Sequence, residues 1–430
     1  MTVERVAHAL ACCGELQLAE FRPWAEAHAG TLSRNPHWKL MIWRDRRPIS
    51  TIGEQSSPAP AGVPARQAGV PAPRLPAATL AGLILLCAAC GTRGVRAHID
   101  EPFPAKLSGW RLFTGEAAAL KPNAGVVPYD LNTPLFSDYA TKYRFVWMPA
   151  GTAATYNDTD AFEFPVGTIF AKTFAFPDTD HGGKQRIIET RLLVHANSGW
   201  VGLPYVWNAE QTEATLDVAA DPTVVHWVHP SGVRYAIDYV IPNTNQCKGC
   251  HDKSKIMTPI GPKARNLNKD FNYPEGRANQ LAYWTKVGYL KGAPAPEAAP
   301  KLAVWDDPSS GTLDTRARAY LEMNCGHCHN PQGPANTTGL YLTAAQTDPM
   351  RLGLCKVPVS AGQGSGDLLF DVVQGKPEES ILVHRMESNT PKVMMPELGR
   401  TVVHQEGVAL IRQWVASLQG SCSAAQPGRL

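Results

Sequence analysis

The chain is 430 residues long, 44% hydrophobic and 18% charged, which supplies apolar material for more than one core and excludes a wholly disordered chain. Its formal charge of +3 arises in the first 90 residues, with nine Lys or Arg against six Asp or Glu, and the other 340 balance at 32 against 32. So even a balance leaves no sequence-level footprint for nucleic acid or for an anionic membrane surface.

In chain order, the first informative stretch is "LPAATLAGLILLCAAC", residues 75–90, preceded by Arg66 and Arg74. Its apolar run of 16 residues falls short of the ~20 of a spanning helix and ends in small residues, as an export signal does. A signal should open a protein, so translation is expected to start near Val63 or Val70. Residues 1–62 are then a mis-assigned extension, in which Cys12 and Cys13 have no role, and 63–97 are the signal region. "CAAC" resembles a lipoprotein cleavage site, with Cys90 as the lipid-bearing residue; cleavage after Ala97 to give a soluble product is the alternative. Either route leads to an oxidising compartment outside the cytoplasm.

Residues 98–242 carry period-two segments rich in β-branched and aromatic residues. These are "KYRFVWMP", "GTIFAKTFAFP", "RIIETRLLVHA", "GWVGLPYVWN", "TVVHWVHP" and "GVRYAIDYVIP". Alternation of this kind predicts an N-terminal antiparallel β-sandwich. His195, His226 and His229 lie in or beside these strands and read first as strand histidines. Residues 243–290 form a small unit with a helix expected over "PEGRANQLAYWTKVGYL", where Leu281, Trp284 and Val287 recur at near-helical spacing. The Pro- and Ala-rich 291–311 read as a semi-rigid linker. Residues 312–422 form a second small unit, with helices expected over "TLDTRARAYLEMN" and "HQEGVALIRQWVASL"; Val408, Ile411, Trp414, Val415 and Leu418 make one apolar stripe. The fold class is therefore multidomain α+β, a β-sandwich followed by two small, mainly helical units.

Each helical unit holds the same five-residue pattern: "CKGCH" at 247–251 and "CGHCH" at 325–329. Cys-x-x-Cys-His is the attachment signature of c-type haem. Two thiols three apart bond covalently to one edge of the porphyrin, and the histidine that follows turns under the ring to the iron. Cys247, Cys250 and His251 would hold one haem, and Cys325, Cys328 and His329 a second. A four-cysteine zinc site, a thiol redox motif and two disulfides compete; zinc needs no histidine after both pairs, and the thioredoxin-like reading lacks its βαβ context.

A sixth ligand for the second iron is expected in "PKVMMPELGR", at Met395 before Pro396, with Pro334 offering its carbonyl to the proximal histidine. For the first iron Met257 is the nearest methionine, with His226 and His229 as rivals. Cys355 and Cys422 are the cysteines left over, and in an oxidising compartment they are expected to pair.

"RARAYLEMNCGHCHNPQGPAN", "GKPEESILVHRM" and "MMPELG" look like a single-haem cytochrome c domain. Together with "LNTPLFSDYATKYRF", "FPVGTIFAKTF", "ETRLLV" and "NQCKGCHDKSKIMTPIGPKARNLN", they resemble an uncharacterised bacterial family of exported dihaem c-type cytochromes, over residues 98–420. The resemblance implies two covalently attached haems c, electron transfer, and a place in the envelope of a Gram-negative bacterium, periplasmic or lipid-anchored. Its implied partners are envelope redox proteins and a parallel β-helix protein often encoded alongside. No nucleic acid is expected, and membrane contact only through a lipid on Cys90. A haem enzyme such as a dihaem peroxidase, or the cytochrome subunit of a periplasmic dehydrogenase, is the alternative.

Overall fold

The structure is a computed structural model describing residues 93–217 and 222–423, the side chain of His181 excepted. The expectations on residues 1–62, the signal and Cys90 lie outside the described residues. From Gly94 onward the chain packs as one compact unit.

The architecture mixes helix with antiparallel sheet. Its centre is a six-stranded meander: β1 (Val127–Tyr129), β2 (Thr141–Trp147), β3 (Ile169–Asp178), β4 (Lys184–Ala196), β5 (Gly199–Trp207) and β6 (Ala214–Leu216), each antiparallel to the next. Period-two alternation gives the sheet two apolar faces. On one, Ile169, Leu192, Val194 and Tyr205 pack on Leu107, Trp110 and Leu112, and Trp110 donates its indole N–H to the Tyr205 hydroxyl at 2.7 Å. On the other, Val127, Val146 and Phe170 pack on Leu267, Leu281 and Trp284 at one end. At the opposite end Phe174 and Phe176 pack under a hairpin of β7 (Thr223–Val228) and β8 (Arg234–Tyr239), through Val225, Trp227, Ile237 and Tyr239.

The expected sandwich thus becomes one broad sheet opposed by a two-stranded hairpin. The reason is length: after β6 only two short strands remain, too few to make a second full layer.

The helix expected over 274–290 is shorter, because Asp270–Tyr273 and Gly276–Asn279 pair as a hairpin around Pro274, with Gly276 at φ 123°, a conformation that side chains resist. Helix α2 (Gln280–Lys286) starts only after Asn279, whose side chain caps the Leu281 N–H at 2.9 Å. Leu281 and Trp284 are buried, while Val287, beyond the helix, is not.

The 291–311 segment is fastened rather than free. Leu290–Lys291 pairs with Ala154–Thr155, the Leu302 N–H bonds the Arg265 carbonyl at 2.8 Å, and Thr133 donates to the Ala303 carbonyl at 2.9 Å.

Beyond it, α3 (Leu313–Asn324), α4 (Ile381–Glu387) and α5 (Gln405–Ser417) share one core, Leu321, Val383, Ile411, Trp414 and Val415 among its members. Cys355 and Cys422 are joined in a disulfide with Cα atoms 5.2 Å apart, the pairing expected from the cysteine remainder. Among the described residues no helix is long and apolar enough to cross a membrane.

Candidate cofactor site

The first motif occupies helix α1 (Thr244–His251), opened by a capping box in which Asn243 accepts from the Gln246 N–H and Gln246 from the Asn243 N–H, both at 2.9 Å. The helix lies against β5 at Gly202, where a Cβ would stand 3.0 Å from Cys247 Cβ and 3.1 Å from its sulfur. Only glycine lets the motif come so near the sheet.

His251 Nδ1 lies 2.7 Å from the Thr258 carbonyl oxygen. A carbonyl only accepts, so Nδ1 carries the proton and the Nε2 lone pair is left for a metal. Burial, the largest cause, lowers the ring to about 4, which keeps it in the neutral, ligating form. The Cys247 thiol is pushed up, chiefly by burial.

Met257 returns on a tight hairpin, pairing with Asp252 through a turn with Ser254 and Lys255 at positive φ. Its Cε reaches 3.2 Å from the same Gly202 Cβ position as Cys247. The structure therefore brings Met257 to Cys247. The histidine rivals are engaged elsewhere: His226 bonds Asp180 at 2.5 Å, and His229 lies 2.9 Å from Glu406 and 2.6 Å from Ser231. His195 is a strand histidine, bonded to the Phe164 carbonyl at 2.9 Å and stacked on Trp200.

The second motif caps α3. The Cys325 N–H bonds the Leu321 carbonyl at 2.9 Å and the His329 N–H the Cys325 carbonyl at 2.9 Å, so one further turn presents both thiols and the histidine together. Gly326 allows it, since a Cβ there would stand 2.8 Å from the Glu322 carbonyl oxygen.

These residues line a cavity of about 890 Å³ whose wall also includes Met395. That size lies within the range of cofactor pockets. Burial lowers His329 to about 4 against a bond to the Leu340 backbone, and Thr338 Oγ1 lies 3.4 Å from its Nδ1. Leu340 and Thr338, rather than Pro334, thus support this ring; Pro334 lines the cavity. Burial also pushes the Cys325 thiol up to about 12.

Met395 is held by its backbone. Its N–H bonds the Arg385 carbonyl at 2.9 Å, and its carbonyl accepts from Arg400 at 2.7 and 3.1 Å. Arg400 also donates to the carbonyls of Ser388 at 2.7 Å, Arg385 at 3.3 Å, Val402 at 3.3 Å and Met386 at 3.4 Å. One buried guanidinium fixes the whole loop.

Two features were not anticipated. First, the motifs meet: Gly249 and Cys250 of the first line the cavity of the second, and Cys328 Sγ lies 3.9 Å from the Gly249 carbonyl oxygen.

Second, residues 132–139 strap the sheet to the C-terminal unit. The Phe136 N–H bonds Asn324 Oδ1 at 2.8 Å and its ring stacks on His404 at 4.1 Å. Asp138 accepts from the N–H groups of Thr401 and Val402 at 2.7 and 2.9 Å, and Tyr139 donates to Glu406 at 2.8 Å. The only signal in the sequence was that "NTPLFSDY" interrupts the alternation of its neighbours.

Among the described residues no three His, Cys, Asp or Glu side chains converge into a metal cage; a haem iron asks the protein for two axial ligands at most. The donor set fits that need, with two thiols and an imidazole of fixed tautomer at α1, and two thiols, an imidazole and a methionine lining one cavity after α3. No family model, curated protein or solved structure matches the chain.

Proposed function

We propose that the protein is a dihaem c-type cytochrome that carries electrons in the bacterial cell envelope, as a periplasmic or lipid-anchored protein. The observation that carries this reading is the second motif: Cys325, Cys328, His329 and Met395 line one cavity of about 890 Å³, two thiols, an imidazole and a thioether of the kinds that covalent attachment and two-sided axial ligation use. Bound haem supplies one-electron chemistry at iron. The chain would supply the rest: Cys247, Cys250, Cys325 and Cys328 would attach the haems, and His251 and His329 would ligate through Nε2, their outer N–H groups being tied to backbone. Met395, which lines the second cavity, would be the other ligand there, its backbone held by Arg400.

Thioether ligation by Met395 would raise the potential of the second haem. Gly249 and Cys250 line the cavity of the second motif, so the step between the two haems would be short. Envelope redox proteins, and a parallel β-helix protein encoded alongside, are the proposed partners.

An enzyme with one open iron face is the second reading, because Met257 is held beside Cys247 in the hairpin that follows His251. Spectroelectrochemical titration of the full-length mature protein separates the two. A carrier gives two low-spin couples and no turnover of hydrogen peroxide; a high-spin haem with multiple turnovers establishes the enzyme.

A further inference from the structure

The face of the sheet that bears Phe170 and Phe174 is apolar at both ends and charged between them. Register sets Arg144 of β2 opposite Lys172 of β3, and Lys172 opposite Arg191 of β4, while Lys142 lies two residues along β2 on the same face. Four cations crossing a half-buried sheet face are costly unless each finds a partner.

Two do. Arg191 makes a two-pronged pair with Glu189, at 2.8 and 2.5 Å, and Arg144 Nη1 lies 2.8 Å from Asp130. The other two have no carboxylate of their own among the described residues: Lys142 donates to the Ala140 carbonyl at 3.1 Å, and Lys172 has its ammonium 4.7 Å from the Phe174 ring centre. Arg144 Nη2 is buried without any hydrogen-bond partner. Burial accordingly pushes Lys142 down to about 7 and Lys172 well down from the ordinary lysine value.

This row lies beside the first motif. Gly202, which seats Cys247, is the β5 partner of Leu193, two residues along β4 from Arg191. An apolar surface interrupted by unpaired cations suits a flat apolar body with anionic groups on its edge, and a porphyrin carries two carboxylates.

We propose that this row receives the carboxylates of the haem tethered at Cys247 and Cys250, with Lys172 and the free Nη2 of Arg144 as the donors. The sheet is then half of the first haem's binding site. The inference rests on the dihaem reading, and it deepens that reading by giving the β-rich part a task.

The test uses the full-length protein, matured with its haems, as wild type, Lys172→Gln, Lys172→Arg and the exposed control Lys121→Gln. Haem per chain is counted first, and both couples are titrated. The second couple is the one that moves when Met395 is replaced by histidine. A cation beside a haem favours the reduced state, so Lys172→Gln is expected to keep two haems and lower the first couple, with about a tenfold change in its reduction equilibrium, 59 mV for one electron. Lys172→Arg and Lys121→Gln should stay near wild type. A first couple that shifts less than twofold in Lys172→Gln, or a shift confined to the second, overturns the inference while leaving the dihaem reading intact. A wild type without covalent haem overturns both.

Discussion

Replacement of Arg400 by glutamine tests how the Met395 loop is held. Arg400 is only 5% exposed and its guanidinium serves five backbone carbonyls, three of the contacts at 3.1 Å or less. Hydrogen bonds to a charged group contribute about 1.5–3 kcal/mol each, but here they share one side chain and one carbonyl takes two. Glutamine keeps part of the volume and one donor group, so the loss should be about 3–5 kcal/mol, the range for breaking a buried charged network. With an m-value of about 3 kcal/mol/M, that lowers the urea midpoint by about 1–1.7 M. Urea unfolding followed by far-UV circular dichroism measures it, and Arg400→Lys, which keeps the charge but not the fork, should fall between. A midpoint shift below about 0.3 M in Arg400→Gln, or an Arg400→Lys variant equal to wild type, refutes the account of the loop.

Three further outcomes are expected. Changing Cys355 and Cys422 together to serine should cost about 2–4 kcal/mol of stability, measured in the same urea titration, because the bond closes a loop with a sequence separation of 67. Gly202→Ala should press a methyl group into Cys247 and Met257, destabilising the fold by about 1–3 kcal/mol, with a lower midpoint and less haem at the first motif. His404 is lowered to about 4, first by burial, with Lys142, Arg400 and His229 adding to the effect and Glu406 opposing it. The unfolded state, protonating near 6.5, therefore binds more protons between about 4 and 6.5, and stability falls as pH drops through that window and levels below it. His404→Phe should remove on the order of 2–3 kcal/mol of that dependence between pH 7 and pH 4, seen as midpoints that differ less between the two pH values than in wild type.

Strands and the C-terminal helices were legible because their signals are local. Alternation in "RIIETRLLVHA" and the stripe from Val408 to Val415 needed no knowledge of the rest of the chain. Two cysteine motifs and the leftover pair were readable for the same reason, each being a short pattern or a count. What escaped depends on contacts across long sequence separations. Phe136 stacks on His404 and Asp138 grips Thr401 and Val402, and nothing in "PLFSDY" names those partners. The helix over 274–290 was overextended because its apolar spacing outweighed Pro274 and Gly276, whose turn chemistry decided the outcome. Lys142, Arg144, Lys172 and Arg191 read as the polar half of an alternating strand, and only the register joins them into a row.

Intact mass of the purified mature protein tests the central claim most directly, compared with Cys247→Ala/Cys250→Ala and Cys325→Ala/Cys328→Ala variants under denaturing conditions that strip any haem not covalently bound. The account predicts wild type heavier than its polypeptide by two haems and each double variant heavier by one. A wild-type mass equal to the bare polypeptide, or one unchanged by either pair of substitutions, contradicts it.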